Sequence, residues 1–220
     1  MSIKAQDIVI ALKLSLEGED NGYVPLAKSL GMSASEVHAG VRRLMEARLL
    51  MPGTKRVRRY PLCELLLHGL AYIFPAHLGP VVRGMPTAWG APAFGGKVVS
   101  GEQLPPVWPD PEGTTLGEAL EPLYRSVPGA ARRDRALYDL LALVDAIRIG
   151  RARERSLAAD AIAECLKVHS AGSSELRHWI LEEEPPEILA AIDVGIRSAE
   201  TEQKLSAEDL RSELHRWTTR

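Results

Sequence analysis

Cysteine is scarce in this 220-residue chain, with only Cys63 and Cys165 and no CxxC pair. That excludes a disulfide-stapled scaffold and a paired-thiolate zinc site, and it fits a reducing compartment, so a cytoplasmic location is expected. Long apolar runs are missing too. The longest, LLLHGLAYIF at residues 65–74, is about half the roughly 20 residues a membrane-spanning helix needs. The opening MSIKAQDIVIALKLSLEG carries Lys4, Asp7 and Lys13 and no small-residue cleavage pattern, so no signal peptide and no membrane partner are expected.

Catalytic patterns are equally thin. The six histidines (His38, His68, His77, His169, His178, His215) show no HxxxH or HExxH spacing, and no GxSxG occurs. GAPAFGGKVV approaches a phosphate-cradling P-loop, but Lys97 falls one place late after Gly95 and Val98 stands where Ser or Thr must hold magnesium. His68 reads as a core residue. Glu118, Glu121, Asp139 and Asp145 read as exposed helix carboxylates. The expectation is a protein that is not an enzyme and uses no cofactor and no metal.

What is present is an ordinary globular composition, 45% apolar and 25% charged, with its charge unevenly placed. Residues 42–59 hold seven bases (Arg42, Arg43, Arg48, Lys55, Arg56, Arg58, Arg59) against Glu46 alone. Residues 182–213 hold ten acids against Arg197, Lys204 and Arg211. One stretch suits an anionic partner and the other a cationic one.

Apolar spacing predicts a helix over 3–16, a second over 23–30 stopped by Gly31, and a third capped by Ser33 or Ser35 with Val37, Val41, Leu44 and Met45 on one face. RLLMPGTKRVRRY then places the Pro52-Gly53 turn between two short segments able to form strands. A fourth helix from Pro61 is too broadly apolar for a surface helix and is expected in the core or in a dimer interface. The stretch 75–113, dense in proline and glycine, predicts an extended or lightly β-structured arm. Helix is expected again over 116–124, interrupted at Pro128-Gly129, continuing through Leu137, Leu140, Leu141, Val144 and Ile147, and once more over 151–166. HSAGSS at 169–174 has linker composition. The organisation expected is thus 1–61, 62–113, 114–168, the linker 169–174, and an acidic segment 175–220.

LAKSLGMSASEVHAGVRRL at 26–44, with the hairpin after it, resembles the helix-turn-helix of bacterial transcription regulators, a winged helix of MarR-like type covering about residues 3–60. The resemblance rests on Leu26 and Ala27 in the first helix, Gly31 in the turn, Ser33 and Ser35 opening the second helix, and Val37, Val41 and Leu44 behind it. It implies duplex DNA as partner, with Ser33, Ala34, Ser35 and His38 facing bases, Arg42 and Arg43 reaching a guanine edge or a phosphate, and Lys55, Arg56, Arg58 and Arg59 along the backbone or in the minor groove. A homodimer is expected. The alternative is a protein-interaction adaptor whose winged helix never touches DNA.

The acidic end, PPEILAAIDVGIRSAETEQKLSAEDLRSELHRW, is similar to the toxin-binding segments of type II antitoxins paired with ParE/RelE-like toxins. Ile188, Ile192 and Ile196 on one helix and Leu210, Leu214 and Trp217 on the next are the residues this implies for a basic toxin partner. The fold class expected is mainly α with a small β wing: a winged helix-turn-helix plus a helical region. The function expected is transcriptional regulation, extended to an antitoxin that autorepresses its operon.

Overall fold

Ile8, Val9, Ile10, Ala11, Leu12 and Leu14 are buried on every side of helix α1 (Ala5–Glu17), which marks it as an interior helix. The computed structural model describes residues 2–17, 22–95 and 104–168. The chain divides into two units, Met1–Arg177 and His178–Arg220, and the described residues all belong to the first.

Helix α2 (Tyr23–Leu30) ends at Gly31, whose φ of 65° is left-handed and easy only for glycine. Ser33 then opens α3 (Ala34–Glu46) with a complete capping box. Its side chain accepts from the Glu36 N–H at 3.2 Å, and the Glu36 carboxylate accepts from the Ser33 N–H at 2.8 Å. Val37, Val41 and Leu44 turn inward. Gly40 lets α3 lie close against α1, because a Cβ there would meet Ile10 Cδ1 at 2.5 Å and Asp7 Oδ1 at 2.9 Å.

After α3 the chain forms a minimal hairpin. Leu50 and Val57 make one antiparallel bridge, and the Met51 N–H donates to the Arg56 carbonyl at 2.8 Å around the Pro52-Gly53 turn. Leu49, Leu50 and Val57 are buried and fasten the hairpin to the core. The helical rod that follows is α4 (Arg59–Glu64), a π-helical stretch Leu65–Gly69, and α5 (Leu70–Ile73). Leu62, Leu66 and Leu70 bury one side of it. Glu64, His68 and Tyr72 follow a four-residue spacing on the opposite side. His68 is therefore not the core residue the sequence suggests: its side chain is 71% exposed, 3.9 Å from Glu64.

The proline-rich stretch yields β1 (Leu78–Pro86) and β2 (Pro106–Pro109), and β3 is Thr115–Leu120. β1 runs antiparallel to both others, β2 is parallel to β3, and the three close on themselves. Glycine permits so tight a closure, since a Cβ on Gly84 or Gly117 would stand 2.1 Å from the carbonyl oxygen of Trp108 or Pro105. The helix expected over 116–124 is thus overturned. Leu116 and Leu120 have helical spacing, but Gly117 and the backbone ladder to β1 settle the segment as strand, with Leu116 facing solvent.

Helix α6 (Val127–Arg133) starts where an interruption was expected, because Pro128 and Gly129 fall in its first turn, where proline has no intrahelical bond to lose. Helix α7 (Arg135–Ile149) carries the expected stripe and is buried well beyond it, and α8 (Ala152–Cys165) packs back on it through Ala158 and Ile162. A single hydrophobic core runs from α1 to α8. Among the described residues the fold is mainly helical with one small sheet.

Polar links tie the layers together. Lys13 Nζ donates at 2.6 Å to Asp134, which also caps α7 by accepting from the Leu137 N–H. Asp145, buried in α7, accepts from Trp108 Nε1 at 2.6 Å, Thr87 Oγ1 at 2.9 Å and Arg148 at 2.7 Å. Burial pushes its carboxyl up while Arg148, Thr87 and Trp108 pull the other way. No helix among the described residues is long and apolar enough to cross a membrane.

Candidate nucleic-acid interface

The outer stripe of α3 is set by its inner one. With Val37, Val41 and Leu44 facing the core, the 100° advance per residue leaves Ser35, His38 and Arg42 outside, continuing the exposed Ser33 and Ala34 at the amino end. The Arg42 side chain is 58% exposed and lies 3.9 Å from Glu46, one helical turn on. Of the residues expected at DNA, these five share one surface.

Arg43 does not belong to it. At 6% exposure it turns inward, and its Nε and terminal nitrogen donate to the two carboxylate oxygens of Asp7 at 2.7 and 2.6 Å. This fork-to-carboxylate pair is the polar seam between α1 and α3. Adjacent arginines on a helix point about 100° apart, and here the second of the pair falls on the side that meets α1 and Asp7.

The hairpin residues divide in the same way. Lys55 lies 5.5 Å from the centroid of the Tyr23 ring, and that ring meets His38 edge-on at 5.2 Å. The aromatic ring thus joins the hairpin to α3, and Lys55 stands beside the outer stripe. Arg56, at the hairpin, is exposed. Arg58 is half-buried and donates to the Arg48 carbonyl at 3.3 Å, bracing the hairpin's base. Arg59, expected on the same surface, instead starts α4 and donates to the carbonyls of Leu166 at 3.1 Å and Ser15 at 3.3 Å. It closes the carboxyl ends of α8 and α1 and is a structural clamp.

Three residues, Tyr23, Tyr124 and Arg125, join the surface without having been singled out there from the sequence. Tyr23 reads only as a helix start. Just after α3, Arg48 is exposed with φ of 59°, a left-handed conformation in which glycine would be at ease. Tyr124 and Arg125 arrive from 88 and more residues away. The Tyr124 hydroxyl donates to Glu36 at 2.5 Å, and the Arg125 guanidinium lies 3.8 Å from the same carboxylate. Local pattern gives no sign of such a long-range meeting. Tyr124 first, then Ser33, hold the Glu36 carboxyl down at about 2.

Among the described residues, no group of three or more His, Cys, Asp or Glu side chains is placed to hold a metal ion. The partner-binding residues expected at Ile188, Ile192, Ile196, Leu210, Leu214 and Trp217 lie outside the described residues. No protein-family model, no characterised protein and no solved structure matches the chain.

Proposed function

We propose that this protein is a DNA-binding transcriptional regulator, in which α2, the Gly31 turn and α3 act as a helix-turn-helix and the 50–57 hairpin as its wing. The supporting observation is the outer face of α3: a capped amino end with Ser33, Ala34, Ser35 and His38, an exposed Arg42, and Lys55 fixed beside it on Tyr23. A helix of about 10–12 Å fits a major groove about 12 Å wide, and small polar side chains near its amino end leave room to approach base edges. Arg42, Lys55, Arg56 and Arg48 supply phosphate contacts, while Arg43 and Arg59 serve the fold. Two copies bound to half-sites about one helical turn apart would match a near-palindromic operator. The acidic stretch 182–213 suits a basic, toxin-like protein as second partner.

Fluorescence anisotropy of the full chain with duplex DNA from upstream of its own gene tests this. Binding weakens steeply between roughly 50 and 200 mM salt, and Arg42→Ala and Arg56→Ala each lower the salt slope by about 1. A chain lacking residues 175–220 keeps its DNA affinity and loses a basic partner in co-purification. No binding to any duplex, at low salt, overturns the reading in favour of a protein-interaction adaptor.

A further inference from the structure

Resting on that reading, we infer that the DNA-binding surface extends past the helix-turn-helix and its wing onto the segment entering α6, where Arg125 and Arg133 contact phosphates on the flank of α3 opposite the wing. Residues 36 and 38 are two apart on α3 and so point about 200° apart. His38 meets Tyr23, whose ring in turn carries Lys55, on one flank, and Glu36 receives Tyr124 and Arg125 on the other. Cations therefore border the exposed stripe on both sides. A helix lying in the major groove has a phosphate strand along each flank, so each set has a strand to meet.

Glu36 sharpens the point. It caps α3 and cannot leave, yet a carboxylate in the first turn of a groove-binding helix repels phosphate. Arg125 offsets that charge from 3.8 Å, with its guanidinium 5.6 Å from the centroid of the Tyr124 ring and its side chain 82% exposed. Arg133, exposed on α6, stands past the amino end of α3. Its guanidinium donates to the Ser29 carbonyl at 3.2 and 3.0 Å and lies 3.2 Å from where a Gly31 Cβ would be, so it borders the turn between α2 and α3. Arg132, by contrast, is engaged by Asp110 and Glu112 and takes no part.

The test is anisotropy of the full chain on upstream duplex and on duplex of arbitrary sequence, across a salt series. Arg125→Ala removes an exposed side chain and lowers the salt slope by about 1, and Arg125→Ala/Arg133→Ala lowers it by nearly 2, weakening both duplexes alike. Lysine at both positions restores most of the slope, since a phosphate contact needs a cation and not a fork. An Arg153→Ala control on α8 leaves binding unchanged. If Arg42→Ala weakens binding but Arg125→Ala matches the wild type in affinity and slope, the extension is wrong and the helix-turn-helix reading stands. If the wild type binds no duplex, both fall. Circular dichroism guards the double variant; should its helix content drop, the single Arg125→Ala decides the outcome.

Discussion

At the scale of single residues, Arg42 and Arg43 show how neighbours with the same side chain take opposite roles. Arg43 forms a desolvated bidentate pair with Asp7, whose own exposure is 0%. Removing one partner of such a pair strands the other charge in a medium that cannot solvate it, at a cost of about 3–5 kcal/mol. Arg43→Ala is therefore expected to lower the free energy of unfolding by that amount, read as a lower urea midpoint at an unchanged slope, and any loss of DNA binding it causes follows from unfolding. Arg42→Ala changes stability by no more than about 0.5 kcal/mol while weakening DNA binding. Urea denaturation of the two variants side by side checks this, and equal stabilities would refute the assigned roles. Sequence alone gives both arginines the same reading, because the choice between them depends on which face of α3 meets α1 and on the carboxylate of Asp7 waiting there.

At the scale of elements, the local signals are strong where chain neighbours decide the outcome. Tyr23–Leu30, the Gly31 stop, the Ser33 cap and the Pro52-Gly53 turn are all legible, since each is a contest settled within a few residues. Thr115–Leu120 is the opposite case. Its leucines mimic helical spacing, and partners more than thirty positions away in β1 draw it into a strand. Asp145 likewise reads as an exposed helical acid but lies buried in α7, where Trp108 and Thr87 from the β region and Arg148 from its own helix converge on it. Asp145→Ala leaves the indole N–H without its acceptor and takes the carboxylate away from the buried Arg148 charge, which keeps only the Phe74 and Glu121 carbonyls, costing about 3–5 kcal/mol. Tryptophan fluorescence during urea unfolding reads that loss. Asp145→Asn, which keeps an acceptor for Trp108, is expected to be milder, and an Ala variant as stable as wild type would refute the role given to this carboxylate.

At the scale of the whole molecule, the residues resembling a DNA-binding domain do not have a core to themselves. α1 packs against α7 as well as α3, Lys13 reaches Asp134, and Arg59 spans the ends of α1 and α8. A fragment of residues 1–61 would expose the α7-facing side of α1 to water, each large buried side chain forfeiting about 1.5–3 kcal/mol. Such a fragment is expected to show no cooperative urea transition and poor amide dispersion by NMR, whereas residues 1–168 unfold cooperatively. A well-dispersed spectrum from the fragment would overturn this. Nothing local in the sequence announces the dependence, because it arises from contacts more than a hundred positions apart. The bond from Tyr124 to Glu36 carries a practical corollary for anyone transplanting α3. Residues 33–46 are not an exchangeable cassette: grafted onto a foreign scaffold without the 124–125 loop, the helix would arrive with an unbalanced anion at its tip.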